Sequence, residues 1–370
     1  MQIDERVMDS QERIGFLLRT LYAGSGYSRY RMGKFEEYDL YVQNKDFLVS
    51  DRVITFNDTN GKLMALKPDV TLSIIKNADD AEGAKTKVYY NENVYRVSES
   101  THQFKEIMQT GLECIGDIGE YDIYEAVHLA VLSLASISEN FVLDISHLDI
   151  IESVLDSISD DEYFRAEILE CIGKKSQHDI ARVCSKYAIG ADGADTLTAI
   201  ARIYGRPDNA IEALTPLCRD GKAKAALAQL CGIWEQIRGT EYADRIRVDF
   251  SITGNMNYYN GIVFSGFIDG IFTKVLSGGR YDKLVRRMGK NAGAVGFALY
   301  LDLLEGISAE ESEYDVDTLI LCGKDTAMSE IAEAAGKLTR EGKSVSVQKS
   351  VPDKLRYREA VKLGGWEDAK

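Results

Sequence analysis

Polar side chains on one predicted strand, residues 104–115, could form part of a ligand-binding site. Because successive side chains of a strand point to opposite faces, Gln109, Gly111 and Glu113 share one face, and mostly apolar residues occupy the other. A glycine between an amide and a carboxylate lets a bound molecule approach the sheet closely, which favours a ligand floor. A strand whose outer face is exposed to water explains the same pattern. The strand alone does not distinguish the two interpretations.

The cysteines and histidines are too scattered to indicate metal or redox chemistry. The six cysteines, at positions 114, 171, 184, 218, 231 and 322, are at least 13 residues apart, and no C-x-x-C pair is present. The four histidines, at positions 102, 128, 147 and 178, form no H-x-x-x-H pair. We therefore predict reduced core cysteines, no metal site and no bound cofactor.

The charge balance argues against a nucleic-acid partner. The 370 residues include 44 Lys and Arg against 59 Asp and Glu, a net charge of −15. Proteins that follow a phosphate backbone normally gain affinity from clustered cations. One basic cluster is present, at Lys283, Arg286, Arg287 and Lys290, but an exposed helix face explains it better.

The hydropathy pattern argues against a membrane protein. No apolar stretch approaches the ~20 residues that a bilayer-spanning helix needs. Residues 1–6 include acidic side chains, where a signal peptide would have a basic and then an apolar segment. We expect no membrane insertion and a cytoplasmic location.

Periodicity predicts an antiparallel sheet that would hold the polar strand. Apolar residues at helical spacing predict an opening helix over 4–22. Pro68 and Asp69 would begin a second helix, since proline suits the first turn and aspartate accepts hydrogen bonds from free N–H groups. Short runs with turn-length links predict strands at 38–42, 47–49, 53–56, 63–66, 87–97 and 104–115.

The second half of the chain changes from helical to strand patterns. Residues 157–242 have the periodicity of an all-helical insertion. Strands are predicted at 247–252 and 258–268, and Asp269-Gly270 then turns the chain into a further strand at 271–276. We predict an apolar helix over 293–306. The C-terminal tail shows a strand, a helix and a strand at 318–321, 327–340 and 344–348.

Five sequence blocks over roughly residues 1–306 resemble the core of class II histidyl-tRNA synthetases: LKPDVT (66–71), YRVSESTHQFKEIMQTGLE (95–113), NYYNGIVF (257–264), SGGRYD (277–282) and GAVGFAL (293–299). The resemblance implies an α+β fold with a class II synthetase-like antiparallel sheet flanked by helices. It implies a core over 1–308 with a helical insertion at about 157–242. Residues 314–370 would form a short, truncated α/β unit similar to an anticodon-binding domain.

The resemblance also implies an amino-acid pocket. It assigns histidine binding to seven positions: Asp69, Thr71, Gln109, Glu113, Tyr258, Tyr259 and Tyr281. In the synthetases, the carboxylates and the amide of this set hold the α-amino group, and the tyrosines contact the imidazole ring. Strand alternation would let only one of Tyr258 and Tyr259 face the pocket, and the sequence does not indicate which.

Two arginines that the synthetases use during amino-acid activation are missing. The segment 252–259, around Gly254, contains no arginine, and Leu303 replaces the arginine that normally clamps ATP. Arg96 remains at the position of a third arginine, where it could contact an anion or only anchor a strand. Because losing one preorganised donor typically costs ~10²–10³ in rate, the resemblance implies little adenylation and no catalytic residue.

A synthetase-like core with a retained pocket and missing arginines resembles the regulatory subunits of ATP phosphoribosyltransferase. The resemblance implies a non-catalytic chain that the short catalytic subunit needs for activity and for histidine feedback in the first step of histidine biosynthesis. It implies a homodimer within a hetero-octamer, histidine as a ligand and no tRNA. The alternatives are a divergent histidyl-tRNA synthetase or other histidine-activating paralogue, and a histidine-binding or scaffolding module with another partner.

Overall fold

The computed structural model describes residues 8–45, 48, 53–79, 83–97, 101–253, 256, 258–304, 313–364 and 366. The chain divides into two compact units, Met1–Ile307 and Ser308–Lys370. The first unit contains a large mixed, mainly antiparallel sheet with helices on both faces. The α+β architecture predicted from the sequence, a largely antiparallel sheet flanked by helices, is confirmed.

The main sheet has nine strands. Their spatial order is β1 (Ser28–Arg29), β5 (Lys85–Val97), β6 (Phe104–Gly116), β12 (Gly293–Tyr300), β11 (Leu276–Arg280), β10 (Ile262–Ile268), β7 (Phe141–His147), β9 (Ile246–Asp249) and β8 (Tyr204–Gly205). The pairs β1–β5 and β7–β9 are parallel, and the other pairs are antiparallel. A separate three-stranded antiparallel sheet has the order β2 (Phe35–Glu37), β4 (Leu63–Leu66) and β3 (Thr55–Asn57).

Helices surround these sheets and form most of the insertion at 157–242, which was predicted to be all-helical but also contributes the short strand β8 to the main sheet. They are α1 (Ser10–Gly24), α2 (Tyr38–Gln43), α3 (Thr71–Asn77), α4 (Glu120–Ala135), α5 (Leu148–Asp156), α6 (Glu162–Gly173), α7 (Gln177–Lys186), α8 (Ala191–Ala201), α9 (Pro207–Leu214), α10 (Gly221–Ile237) and α11 (Asp282–Arg287). Local sequence explains where α1 begins, because Asp9 and Glu12 form a capping box there. Among the described residues, no helix is long and apolar enough to cross a membrane.

The nine-stranded sheet separates two hydrophobic clusters. On one face, Leu112 and Cys114 of β6 pack in the larger cluster, which includes residues of α1, α4 and the insertion helices. On the other face, Tyr90 and Ile115 pack in a smaller cluster with residues of α3 and α11. The alternation predicted for the strand at 104–115 is therefore confirmed, and the polar residues lie on the side of α3.

Residues 38–42, predicted as a strand, form helix α2. The run alternates polar and apolar residues too briefly to separate the two periods, and Glu37 enters the helix from an extended conformation. The predicted strand at 47–49 falls, apart from Leu48, outside the described residues.

Residues 293–306, predicted as an apolar helix, instead form β12 followed by a 3₁₀ turn at Leu301–Leu304. β12 lies between β6 and β11 at the centre of the sheet and contributes buried residues to both clusters. A strand buried on both faces has a continuous apolar sequence, and periodicity does not separate it from a buried helix.

The second unit contains the elements predicted for the tail and one more. Strand β13 (Val316–Cys322), helix α12 (Met328–Arg340) and strand β14 (Val345–Gln348) match the predicted strand, helix and strand. A further strand, β15 (Tyr357–Leu363), pairs in parallel with the other edge of β13. The unit therefore has a three-stranded parallel sheet in the order β14, β13, β15.

Close packing at the centre of the main sheet predicts a large effect of Gly278→Ala. An added Cβ would lie 2.4 Å from Phe297 Cβ and 2.6 Å from the Gly296 carbonyl oxygen. We expect a loss of about 1–3 kcal/mol of unfolding free energy, measured by urea denaturation. Gly232→Ala is the control, since Gly232 lies in α10 with no atom within 4 Å of an added Cβ. It should gain roughly 0.5–1 kcal/mol, and equal stability of the two variants would contradict the prediction.

Candidate functional site

A cavity of about 420 Å³ opens on the α3 side of the main sheet. It is lined by every residue that the sequence singled out for ligand binding: Asp69, Thr71, Arg96, Gln109, Glu113, Tyr258, Tyr259 and Tyr281. These residues come from four separate segments of the chain, and the sheet and α3 bring them together. A volume of this size suits a small molecule rather than a macromolecule.

The carboxyl group of Glu113 is the most enclosed acid of the cavity. Glu113 is 3% exposed, and its two oxygens accept hydrogen bonds from Thr71 Oγ1 (2.8 Å) and the Tyr281 hydroxyl (2.5 Å). Gly296 on β12 faces Glu113, and a Cβ at that position would lie 1.8 Å from Glu113 Oε2. Burial raises the pKa of Glu113 to about 8, although both hydroxyl donors act in the opposite direction.

Asp69 holds the start of α3. Its Oδ1 accepts a hydrogen bond from the backbone N–H of Leu72 (2.9 Å), as the Pro68-Asp69 sequence predicts. Burial raises the pKa of Asp69, and the Leu72 N–H and the positive charge of Arg96 partly offset this effect. Arg96 Nε in turn donates to the Pro68 carbonyl oxygen (3.0 Å). Arg96 thus ties β5 to the segment that carries Asp69.

Three tyrosines form an aromatic wall. The ring centroids of Tyr258 and Tyr259 are 4.5 Å apart, and those of Tyr258 and Tyr281 are 5.7 Å apart. The expectation that only one of Tyr258 and Tyr259 faces the pocket is wrong, because both line it. The predicted strand begins only at Ile262, so strand alternation does not apply to the two tyrosines. Burial raises the pKa of all three phenols, which keeps them neutral hydrogen-bonding groups.

The space above Gly111 is filled by another side chain. A Cβ at Gly111 would lie 2.7 Å from the Tyr90 hydroxyl and 2.2 Å from the Phe297 carbonyl oxygen. Gly111 therefore makes room for Tyr90, its partner across the β5–β6 pair, rather than for a ligand directly. The register that aligns Tyr90 with Gly111 was the signal that could have identified this tyrosine.

Sequence reasoning missed five polar residues of the cavity: Tyr90, Ser265, Lys274, Ser277 and Tyr300. Lys274 precedes β11, and Ser277 and Tyr300 lie on β11 and β12. Ser277 begins the SGGRYD block but was not assigned to the site, and no motif marks the others. Only the strand order, which places β11 beside β12, brings them to the site.

The structure describes only one of the two positions at which the synthetase arginines are missing. Gly254 lies outside the described residues. Leu303 packs against the larger hydrophobic cluster and does not line the cavity. Arg96 and Lys274 are the cations among the described residues that line the cavity. In the described part of the chain, no three His, Cys, Asp or Glu side chains cluster so as to hold a metal ion.

The cavity therefore has the chemistry of a site for a small zwitterion. The oxygens of Asp69, Gln109 and Glu113 can accept hydrogen bonds from an ammonium group, and the tyrosine hydroxyls can pair with ring nitrogens. Two lining cations provide little stabilisation for a triphosphate.

Comparison with known proteins gives consistent similarities. The histidyl-tRNA synthetase family model matches residues 3–304. An ATP phosphoribosyltransferase regulatory subunit from Alkaliphilus metalliredigens is 28% identical over 337 residues, which are 87% of this chain and 84% of that protein.

Two solved structures share the fold. One, described as an ATP phosphoribosyltransferase regulatory subunit/histidyl-tRNA synthetase from Bacillus halodurans C, is 23% identical with a TM-score of 0.78, and the match covers 95% of this chain and 93% of that one. The other belongs to an ATP phosphoribosyl transferase (HisG:HisZ) complex from Thermotoga maritima. It is 18% identical with a TM-score of 0.63, and the match covers 79% of this chain and 97% of that one.

The raised pKa of Glu113 predicts a specific pH dependence of stability. Between the ordinary value of 4.5 and about 8, the folded state keeps a proton that the unfolded state has lost, so stability falls as pH rises. Relative to Glu113→Gln, which cannot titrate, the unmodified chain should lose up to about 1.4 kcal/mol per pH unit in this window. Urea denaturation at pH 5, 6, 7 and 8 measures the difference. A constant difference would contradict the prediction.

Proposed function

This chain belongs to the histidyl-tRNA synthetase family, and we propose that within the family it is the non-catalytic regulatory subunit of ATP phosphoribosyltransferase. It is needed for the activity of the short catalytic subunit and for histidine feedback in the first step of histidine biosynthesis. One observation carries this proposal: all the residues that the resemblance assigns to histidine binding line one cavity, whereas Leu303, which the resemblance places at the position of the ATP-clamping arginine, packs against the larger hydrophobic cluster.

The relatives support the same function. The Alkaliphilus metalliredigens protein has the name of a regulatory subunit, and the Thermotoga maritima chain comes from a complex with the transferase. Both similarities extend over more than three quarters of this chain. The family relationship alone would equally allow a synthetase, and the loss of charged groups that stabilise the activation step argues against that alternative.

The proposed ligand of the cavity is histidine. Asp69, Gln109 and Glu113 provide acceptors for the α-amino group, and Tyr258, Tyr259 and Tyr281 provide aromatic faces and hydroxyls for the imidazole. Thr71 positions the Glu113 carboxyl through its hydrogen bond. Arg96 keeps the Asp69 segment in place through the Pro68 carbonyl, and no residue of the site is assigned a catalytic role.

The proposed partner is the short-form catalytic subunit, and the proposed assembly is a homodimer of this chain within a hetero-octamer. The net charge of −15 supports a protein partner over tRNA, because tRNA would be repelled on average. A cytoplasmic location belongs to the same proposal, as does the similarity of residues 314–370 to a truncated anticodon-binding unit.

Reconstitution tests the regulatory role. Formation of phosphoribosyl-ATP by the catalytic subunit of the same organism should require this chain and should fall as L-histidine is added. A parallel assay of histidine-dependent ATP–pyrophosphate exchange should show no activity for this chain. Clear exchange, or transferase activity that is independent of this chain, would overturn the proposal.

The cavity is tested by Glu113→Gln, which keeps the shape of the side chain but cannot ionise when an ammonium group binds. Histidine affinity should fall about tenfold or more, because the charge-assisted hydrogen bond that an ionised Glu113 would accept from the ammonium group is lost, while assembly with the catalytic subunit is unchanged. Calorimetry measures affinity, and gel filtration measures assembly. Glu139→Gln, at an exposed loop position, is the matched control and should bind as the unmodified chain does. Unchanged affinity in Glu113→Gln would mean that histidine acts elsewhere.

A further inference from the structure

Lys274 is a cation of the cavity that has no partner among the described residues. Its side chain lines the cavity, and it makes neither a hydrogen bond nor an ion pair with any other described residue. Although the residue as a whole is exposed, packing around the ammonium group lowers its pKa. Lys274 thus has the features of a group that is available for an anion.

Strand register places Lys274 at one end of the cavity. The carbonyl oxygen of the next residue, Val275, accepts a hydrogen bond from Tyr300 N–H (2.9 Å), and Tyr300 pairs with Gln109 on β6. Glu113 lies four residues further along β6, which corresponds to about 13 Å of strand. Lys274 therefore lies at the same end of the cavity as Gln109, one of the acceptors proposed for the α-amino group.

The other lining cation, Arg96, is already engaged. Its Nε donates to the Pro68 carbonyl oxygen, and its charge stabilises the ionised form of Asp69. A free amino acid has a carboxylate as well as an ammonium group, and the carboxylate needs a cation or several donors. Lys274, with the hydroxyls of Ser277 and Tyr300 also lining the cavity, meets this need without disturbing Asp69.

We propose that Lys274 binds the carboxylate of the amino acid held in this cavity and thereby selects free histidine over analogues that lack the carboxylate. The inference rests on the proposed function, because it assumes an amino-acid ligand. It assigns carboxylate binding to a residue of the β10–β11 hairpin.

Calorimetric titration of the full chain with L-histidine and with L-histidinol, in which an alcohol replaces the carboxylate, tests the proposal. Lys274→Met should weaken histidine binding about 10- to 100-fold and leave histidinol binding unchanged. Lys274→Arg, which keeps the charge, should restore part of the preference for histidine. Lys224→Met, on the exposed surface of α10, makes the same change away from the cavity and should affect neither ligand.

The outcomes distinguish the role of Lys274 from the existence of the histidine site. Equal histidine affinity in Lys274→Met and the unmodified chain would overturn the role of Lys274 while leaving histidine as the ligand. Equal losses for histidine and histidinol would also overturn it, because they indicate a general disturbance of the cavity. Failure of the unmodified chain to bind either compound would overturn the histidine site itself, and the role of Lys274 with it.

Discussion

The buried carboxyl group of Glu113 is the point at which three parts of the fold meet. It lies on β6, accepts one hydrogen bond from Thr71 at the start of α3, and accepts another from Tyr281 at the end of β11. Because an unpaired polar group in this position would cost free energy, α3 and β11 have to keep their positions relative to β6. The shape of the cavity therefore depends on the two hydrogen bonds that the Glu113 carboxyl group accepts.

Glu113 also restricts which residues fit on the adjacent strand, β12. Gly296 faces Glu113 across the β6–β12 pair and leaves no room for a side chain. Gly111 likewise leaves space for the side chain of Tyr90, and Gly278 leaves space for the side chains of Phe297 and Phe264. Each of these glycines lies within one of the sequence blocks and leaves space for a larger side chain on an adjacent strand. Gly296 therefore has a packing role in β12 that does not require a helix.

The sequence was sufficient for the parts of the fold that have a local cause. The alternation of Gln109 and Glu113 with Leu112 and the Asp69 hydrogen bond at the start of α3 depend on neighbours within a few residues, and the structure has them as predicted. The Asp269-Gly270 turn follows β10, but the strand predicted at 271–276 is wrong, because β11 begins only at Leu276. Residues 293–306 were assigned wrongly because a strand buried on both faces has no distinctive period. Lys274 and Tyr90 were missed because their place in the site depends on which strands are adjacent, and that information is not local.

The packing around the cavity also decides which of its positions can change during evolution. Three glycines do not tolerate a larger residue, because backbone and side-chain atoms lie closer than 3 Å to any added Cβ: Gly111, Gly278 and Gly296. Lys274, Ser277 and Tyr300 line the same cavity and already have side chains that face it. Selection for a new ligand would therefore start at the β11 end, and a designed library that randomises these three positions would retain the fold while sampling new specificities.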